Sequence, residues 1–280
     1  MVRLVRVELF KVRKRGMTWI LLAVLVAFFC MIFLGMYAAA GSAPHGMPGA
    51  GLEALKASLQ FPNAFDMIFS TAQGIGGILL VILAASAVGN EYGWGTVRQM
   101  LSKRGIRSHY LGAKIVSLII IALIGIAISL IVGFALASFT TIQLAGSINW
   151  DFMSASYVGE LFKMFGWTAF ALLVYILLGV LFAVVGRSAL VGIAVGLGYY
   201  FVERIAIGIF TGAGGWLAEI PNYLIGQNIN ALMPGNQLGG PFMTTSTLPS
   251  LLHASVTLAV YCLVFLALSL YLFQKRDLTA

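Results

Sequence analysis

The sequence predicts an all-helical integral membrane protein with six transmembrane helices, and three observations carry this prediction. The 280 residues are 60% hydrophobic and only 9% charged, and the mean hydropathy is +0.98. A soluble domain needs about 25% charged residues to cover its surface. The apolar residues form long runs, and the basic residues gather between alternate runs. These features exclude a soluble globular fold and predict a single transmembrane domain over residues 1–280.

An amphipathic helix is predicted for residues 1–15. Val2, Val5, Leu9 and Val12 recur at helical spacing, and basic residues occupy the other face. A helix of this kind lies on the inner leaflet, where anionic lipid attracts it. The alternative is a basic tail whose charge only sets the orientation of the chain.

Six apolar stretches reach the roughly 20 residues that a helix needs to cross a bilayer. They lie at about 17–39, 66–88, 115–138, 164–186, 189–210 and 251–273. Only residues 186–188 separate the fourth stretch from the fifth. This spacing predicts a tight hairpin on the cytoplasmic side, with Arg187 at its turn.

The placement of the charged residues predicts the orientation. With the N-terminus in the cytoplasm, fourteen of the seventeen Lys and Arg residues fall in cytoplasmic segments. Lys56 and Lys163 then lie outside, and Arg204 lies in or near the fifth span. Because cytoplasmic loops of membrane proteins carry an excess of Lys and Arg, both termini are predicted to be cytoplasmic.

Two outside loops are long. Residues 40–64 are rich in Gly and Pro, which predicts an irregular segment. Residues 211–250 contain the apolar piece WLAEIPNYLIGQNINALMPG, which is too short to span a bilayer and is interrupted by Pro221 and Gly226. This pattern predicts short outer-leaflet helices before the last span. A loose extracellular loop is the alternative.

Glu203 and Arg204 form an acid–base pair near the fifth span. If that helix starts at Ser188, Glu203 lies about 22 Å along it, in the outer third of the bilayer. Charge inside a membrane usually marks a functional position such as a transport pathway. The preceding Tyr199 and Tyr200 favour an interfacial anchor equally, so both interpretations stand.

No motif for catalysis is evident. The sequence has no Walker-type phosphate loop, no His-Glu-x-x-His zinc motif and no Gly-x-Ser-x-Gly elbow. Cys30 and Cys262 lie inside apolar runs, so neither a disulfide framework nor a thiolate metal site is expected. We therefore expect no catalytic residue, no metal and no cofactor. The basic residues follow membrane orientation, so no nucleic-acid partner is expected either.

The loop at residues 89–114 carries five of the seventeen basic residues. Val97, Met100 and Leu101 share one helical face, which predicts a short amphipathic helix from about residue 90 to residue 102 beneath the membrane. A simple basic loop that only sets topology is the alternative.

The residues of this loop resemble the permease subunits of type-2 ABC exporters. The resemblance is carried by Glu91, Gly95, Thr96, Arg98, Leu101 and Arg107, with Lys114 just before the next apolar run. It extends in layout to the N-terminal surface helix, the six spans, the hairpin at Arg187 and the long last outside loop. Where those permeases often have a Pro after the Leu, this chain has the residues SKRG.

The resemblance implies a coupling helix that engages a separate ABC-type ATPase subunit, which binds ATP and Mg²⁺. It also implies a second permease, either another copy of this chain or a homologue, surrounded by lipid in the cytoplasmic membrane of a prokaryote. Abundant Phe, Met and Gly favour an amphiphilic cargo for export. The alternatives are an ATP-independent secondary transporter or assembly factor and, less favoured, a membrane-embedded enzyme.

Overall fold

A computed structural model describes residues 2–42, 49–93, 107–233 and 248–275. Within these ranges the chain is helical and contains no strand. In chain order the elements are α1 (Val2–Lys14), α2 (Gly16–Gly41), α3 (Gly49–Leu59), α4 (Ala64–Gly93), α5 (Arg107–Ala145), α6 (Ala155–Gly186), α7 (Ala189–Ala213), a 3-10 helix (Gly215–Tyr223), α8 (Ile225–Ala231) and α9 (Leu251–Lys275).

Six of these helices, α2, α4, α5, α6, α7 and α9, are long and apolar enough to cross a membrane. Each one covers a predicted span, so the predicted all-helical fold with six spanning helices is confirmed. The helices also extend beyond the apolar stretches. The longest, α5, has 39 residues, or about 58 Å, against a hydrocarbon core of about 30 Å. Its ends therefore project beyond the apolar part of the bilayer.

The helices α4 and α6 form the centre of the bundle. In each, 67% of the residues in its most apolar stretch of 18 are buried, against 17% in α2 and 22% in α7 and α9. Glycines bring the central pair together: a Cβ atom at Gly179 would lie 2.8 Å from the carbonyl oxygen of Val81, and one at Gly77 would lie 2.6 Å from the ring of Tyr175. Small residues permit this close approach. The outer helices keep broad apolar faces on the surface.

The turn between α6 and α7 is as tight as the sequence predicts. Arg187 takes the left-handed conformation with φ of 48°, and α7 begins two residues later. The last turns of α4 pack directly against this junction, because a Cβ atom at Gly89 would lie 2.2 Å from the nitrogen of Ala189. The end of α4 and the start of α7 thus lie at one end of the bundle. We call this the basic end, since α1 lies there too.

The N-terminal segment forms a helix, as the spacing of its apolar residues predicts. Its buried residues are Glu8 and Val12, while Val2, Val7 and Phe10 are exposed. Exposed apolar side chains beside basic ones suit a helix at a membrane surface, and that location stays a prediction.

The expectation of an irregular segment at 40–64 was wrong in part, because α3 occupies Gly49–Leu59. The Gly and Pro residues before position 52 dominated the prediction, whereas the stretch LEALKASL that follows consists mostly of good helix formers. Residues 43–48 lie outside the described part of the chain.

The described part of the segment between α7 and α9 contains short helices, as predicted. A 3-10 helix over Gly215–Tyr223 takes in Pro221, and α8 follows directly as Ile225–Ala231. Five of the seven α8 residues are buried, so this pair of short helices is packed into the protein. We call residues 215–233 the outer segment. Its placement in the outer leaflet is a prediction.

Candidate functional site

A buried cluster of charged side chains joins α1, α4 and α5 at the basic end. The Glu91 carboxylate lies 2.7 Å from the Lys114 ammonium, and Lys114 lies 3.3 Å from Glu8. Lys11 lies 2.6 Å from Glu8 and 3.5 Å from Glu91. The Tyr110 hydroxyl donates a 2.5 Å hydrogen bond to the second oxygen of Glu91. We call these five residues the ion cluster.

Three helices place the ion cluster where the 89–114 loop begins and ends. Glu91 lies two residues before the end of α4, and Lys114 lies seven residues after the start of α5. The Lys114 ammonium also donates to the backbone carbonyl of Ala87 at 2.8 Å. The loop that leaves α4 at Gly93 and returns at Arg107 is therefore fixed at both ends by one set of contacts.

The ion cluster is neutral by charge count, and three of its four charged side chains are buried, while Lys11 is 33% exposed. Two carboxylates face two ammonium groups, and Glu8, Glu91 and Lys114 are only 3%, 4% and 1% exposed. The two ammonium groups also lie 5.6 and 5.3 Å from the centre of the Tyr110 ring, within the range of a cation–π attraction. Buried charges are tolerated when they are paired and hydrogen-bonded. Removing one partner leaves the other charge buried and unpaired, which strongly destabilises the fold.

The predicted coupling residues fall into two groups. Glu91 is described, and its side chain points into the ion cluster rather than toward solvent. Arg107 is the first residue of α5. Gly95, Thr96, Arg98 and Leu101 lie outside the described residues, and so does the predicted helix at 90–102 beyond Gly93. The role of all six residues in coupling stays a prediction.

Sequence reasoning missed the inward contacts of Glu8, Tyr110 and Lys114. A signal for Glu8 was present: it is the one acidic residue among six basic residues in positions 1–15. It also stands at helical spacing from Val5 and Val12, on the apolar side of α1. An acid on the apolar face of a basic helix predicts a buried basic partner, but not which one.

Glu203 and Arg204 are both described, and they point to different partners. The Glu203 carboxylate accepts a 2.7 Å hydrogen bond from the backbone N–H of Gly226 and a longer one, 3.4 Å, from the Tyr199 hydroxyl. The exposed Arg204 guanidinium donates to the Tyr200 hydroxyl at 3.1 Å and stacks on its ring. No ion pair joins these two charged residues.

Glu203 belongs to a set of polar side chains that hold the backbone of the outer segment. Gln73 of α4 donates to the carbonyl of Ile229 at 3.3 Å. From α9, Tyr261 donates to the carbonyl of Tyr223, and His253 lies within hydrogen-bond distance of the carbonyl of Asn222, both at 3.0 Å. Irregular backbone at membrane depth is tolerated only where protein groups satisfy it. Three spanning helices, α4, α7 and α9, do so here.

The rest of the described chain offers no metal site: no group of three or more His, Cys, Asp or Glu side chains in it is arranged to hold an ion. Cys30 and Cys262 are free and half-buried, on α2 and α9. The lack of a catalytic residue and of a cofactor remains an expectation.

Comparison with known proteins gives one informative result. No curated protein matches the chain. The model of one family, described as ABC-2 family transporter protein, matches residues 2–278, which is nearly the whole sequence. The match includes the six spanning helices and every residue of the ion cluster. The chain therefore belongs to the ABC-2 transporter family, and it is a multi-pass membrane permease subunit of that type.

Proposed function

We propose that this permease is an exporter subunit that moves an amphiphilic substrate across the cytoplasmic membrane of a prokaryote. A separate ABC-type ATPase binds ATP and Mg²⁺ and supplies the energy. A second permease, either another copy of this chain or a homologue, completes the pathway. The loop at 89–114, with Glu91, Gly95, Thr96, Arg98, Leu101 and Arg107, receives the motion of the ATPase as a coupling helix.

The ion cluster is the observation that carries this proposal. A loop that transmits motion needs a stiff connection to the spanning helices, because a flexible one would absorb the displacement. The contacts among Glu91, Lys114 and Glu8 connect both ends of the loop to each other and to α1. A displacement of the loop is thereby passed to α4, which lies at the centre of the bundle. The two states of the pathway must differ in such contacts for ATP to favour one of them.

The surface of the bundle supports pairing with a second permease. Large apolar side chains of α7, including Leu190, Val202, Ile205 and Ile209, are more than 60% exposed. An apolar helix face of this kind is stable against lipid or against another spanning helix. A pathway between two copies would be lined by apolar groups, which suits a substrate with an apolar portion.

Purification from native membranes in a mild detergent tests the proposal. The tagged chain is expected to bring with it a soluble protein that carries a Walker-type phosphate loop and hydrolyses ATP. Hydrolysis by the reconstituted complex should increase when the transported class of amphiphile is added, which makes a ligand screen possible. A fully active transporter without any such subunit would contradict the proposal and support the ATP-independent alternative.

The proposed orientation predicts the reactivity of introduced cysteines. In a chain whose Cys30 and Cys262 are replaced by alanine, Ser42→Cys and Ser147→Cys should react with an impermeant thiol reagent in intact cells. Both serines are exposed at the end opposite α1. Ser108→Cys, near the start of α5, should react only after the membrane is permeabilised. Labelling of Ser108→Cys in intact cells would contradict the orientation, because the charge distribution would then have been misinterpreted.

The coupling loop gives a second prediction. Arg98→Ala is expected to weaken association with the ATPase and to lower transport, because a basic residue at this position belongs to the motif that resembles the coupling helix. Pull-down of the ATPase and a transport assay measure the two effects. Lys275→Ala is the matched control, since it removes a basic residue at the same end of the bundle but on α9. Normal ATPase binding and transport by Arg98→Ala would leave the loop with a role in topology only.

A further inference from the structure

An open groove lies between α1 and α5 at the basic end, apart from both groups of residues described above. Its volume is about 470 Å³, and its lining consists of Val2, Val5, Arg6 and Leu9 of α1 and Val116 of α5. Ligand sites in proteins commonly have volumes of roughly 300–1,000 Å³. Four of the five lining side chains are aliphatic and the fifth carries a guanidinium, so the groove combines an apolar surface with one positive charge.

The α1 side of the groove is a single stripe of that helix. The residues at positions 2, 5, 6 and 9 recur at intervals of three and four, so they share one face over a length of about 10 Å. Glu8 and Lys11 leave α1 from a neighbouring face and enter the ion cluster. Of the groove residues, Val2, Arg6 and Val116 are exposed and the other two are half-buried. The groove is therefore open to the surroundings and separate from the ion cluster.

The contacts of α1 with two spanning helices put the groove at the edge of the hydrocarbon core. On α2, the indole N–H of Trp19 donates to the carbonyl of Arg13 at 2.9 Å, close to the start of the apolar stretch 17–39. Trp19 is 58% exposed, and exposed tryptophan favours the headgroup level of a membrane. On α5, Val116 is the second residue of the apolar stretch 115–138. Headgroups and acyl chains of phospholipids meet at this level.

The exposed charges beside the groove are positive. Arg3, Arg6, Arg13 and Lys14 of α1 are exposed. Glu8 is 3% exposed and is paired with lysines, so α1 presents no exposed carboxylate over its described length. A basic residue near a membrane surface attracts anionic lipid by about 1 kcal/mol, and a guanidinium can bind two phosphate oxygens at once. Positive charge beside an apolar surface favours an anionic phospholipid over a neutral one.

We propose that this groove binds one anionic phospholipid of the leaflet that faces α1. Arg6 holds the phosphate, and the first part of an acyl chain packs against the aliphatic side chains of the groove. The lipid thereby joins α1 to the first turns of α5, beside the ion cluster. The site depends neither on ATP nor on the direction of transport, so the lipid is a bound component of the permease and not its cargo.

Native mass spectrometry of the delipidated, full-length permease without the ATPase tests the charged part of the site. We expect one phosphatidylglycerol to bind about fivefold more tightly than phosphatidylcholine with the same acyl chains, the ratio that corresponds to about 1 kcal/mol. Arg6→Gln should bring this ratio close to one. Arg3→Gln is the matched control, because it removes an exposed arginine of the same helix that does not line the groove. The preference should be retained in that variant.

Val116→Trp tests the apolar part. The indole fills the groove from α5, so the affinity for phosphatidylglycerol should fall at least fivefold. Ile124→Trp is the matched control, since Ile124 is also exposed on α5 but does not line the groove. Val2→Trp fills the groove from α1, where Val2 is 78% exposed, and replaces Val116→Trp if that variant fails to fold.

Several outcomes would overturn the proposal. Equal binding of the two lipids by the unmodified chain is one, and a wild-type preference in Arg6→Gln is another. The same loss in Arg3→Gln would show that any basic residue of α1 attracts the lipid without a defined site. Undiminished binding by a folded groove-filling variant would place the lipid elsewhere. Unchanged lipid binding by Arg6→Gln together with weaker association with the ATPase would make the groove a protein contact instead.

Discussion

Glu91→Gln is expected to lower the free energy of unfolding by about 3–5 kcal/mol and to abolish transport. The substitution leaves Lys114, which is 1% exposed, with only Glu8 as a charged partner. The remaining cluster then has one more positive charge than negative charge around the buried Lys114 ammonium. Thermal unfolding in detergent measures the loss of stability, and export from intact cells or vesicles measures the loss of function.

The double variant Glu91→Gln with Lys114→Met separates stability from coupling. It removes one charge of each sign and keeps the 2.6 Å pair between Lys11 and Glu8. Because a buried ion pair can often be replaced by uncharged groups without loss of stability, the unfolding temperature should return close to the wild-type value. Transport should remain low if the Glu91–Lys114 contact transmits motion. Recovery of both properties would make the contact purely structural.

An exposed pair provides the control. Glu53→Gln breaks the contact of Glu53 with Lys56, which spans 3.4 Å on α3 and leaves the glutamate side chain 74% exposed. Surface ion pairs contribute about 0–1 kcal/mol, so this variant should differ little from wild type in stability and transport. A loss as large as that of Glu91→Gln would show that removal of any carboxylate is harmful.

Glu203→Ala is expected to release the outer segment and to destabilise the permease by about 1–3 kcal/mol. The substitution leaves the backbone N–H of Gly226 without its acceptor at 2.7 Å, and an unsatisfied buried donor costs about that amount. Hydrogen exchange should increase in residues 215–233, and transport should change with it. Arg204→Gln is the matched control, because the neighbouring Arg204 is exposed and its guanidinium contacts Tyr200.

Glu203→Gln distinguishes an anchor from a pathway residue. The amide oxygen of glutamine can still accept the Gly226 N–H, so the outer segment should stay protected from exchange. If Glu203 acts only by this hydrogen bond, Glu203→Gln transports at the wild-type rate. If its charge faces the pathway in another state, transport changes while stability and exchange do not. A wild-type transport rate would remove Glu203 from the pathway.

The spanning helices could be predicted because hydropathy depends on composition within a short window. The same reasoning found the turn at Arg187 and the short helices of the outer segment from local Gly, Pro and Ser residues. It failed at α3, where the Gly-rich start of the loop obscured a short run of helix formers. In each case, success or failure depended on residues close together in the sequence.

The candidate sites are built from residues far apart in the sequence, so their contacts were harder to predict from it. Glu91 was selected through the motif of its loop, but its contacts with Lys11 and Lys114 cross intervals of 80 and 23 residues. Glu203 was selected as a charge near a span, yet its partner is the backbone of Gly226, which carries no signal in a sequence. The adjacent Arg204 has a different partner, Tyr200, because consecutive residues on a helix point in different directions.

Hydrogen exchange of the permease–ATPase complex tests whether the ion cluster connects the ATPase to the spanning helices. Exchange is measured with and without ATP trapped by vanadate, in wild type and in Glu91→Gln with Lys114→Met. ATP is expected to change exchange in the outer segment, at the opposite end of the bundle, in wild type only, while the ATPase stays bound in both. The same ATP-dependent change in the double variant would contradict this expectation.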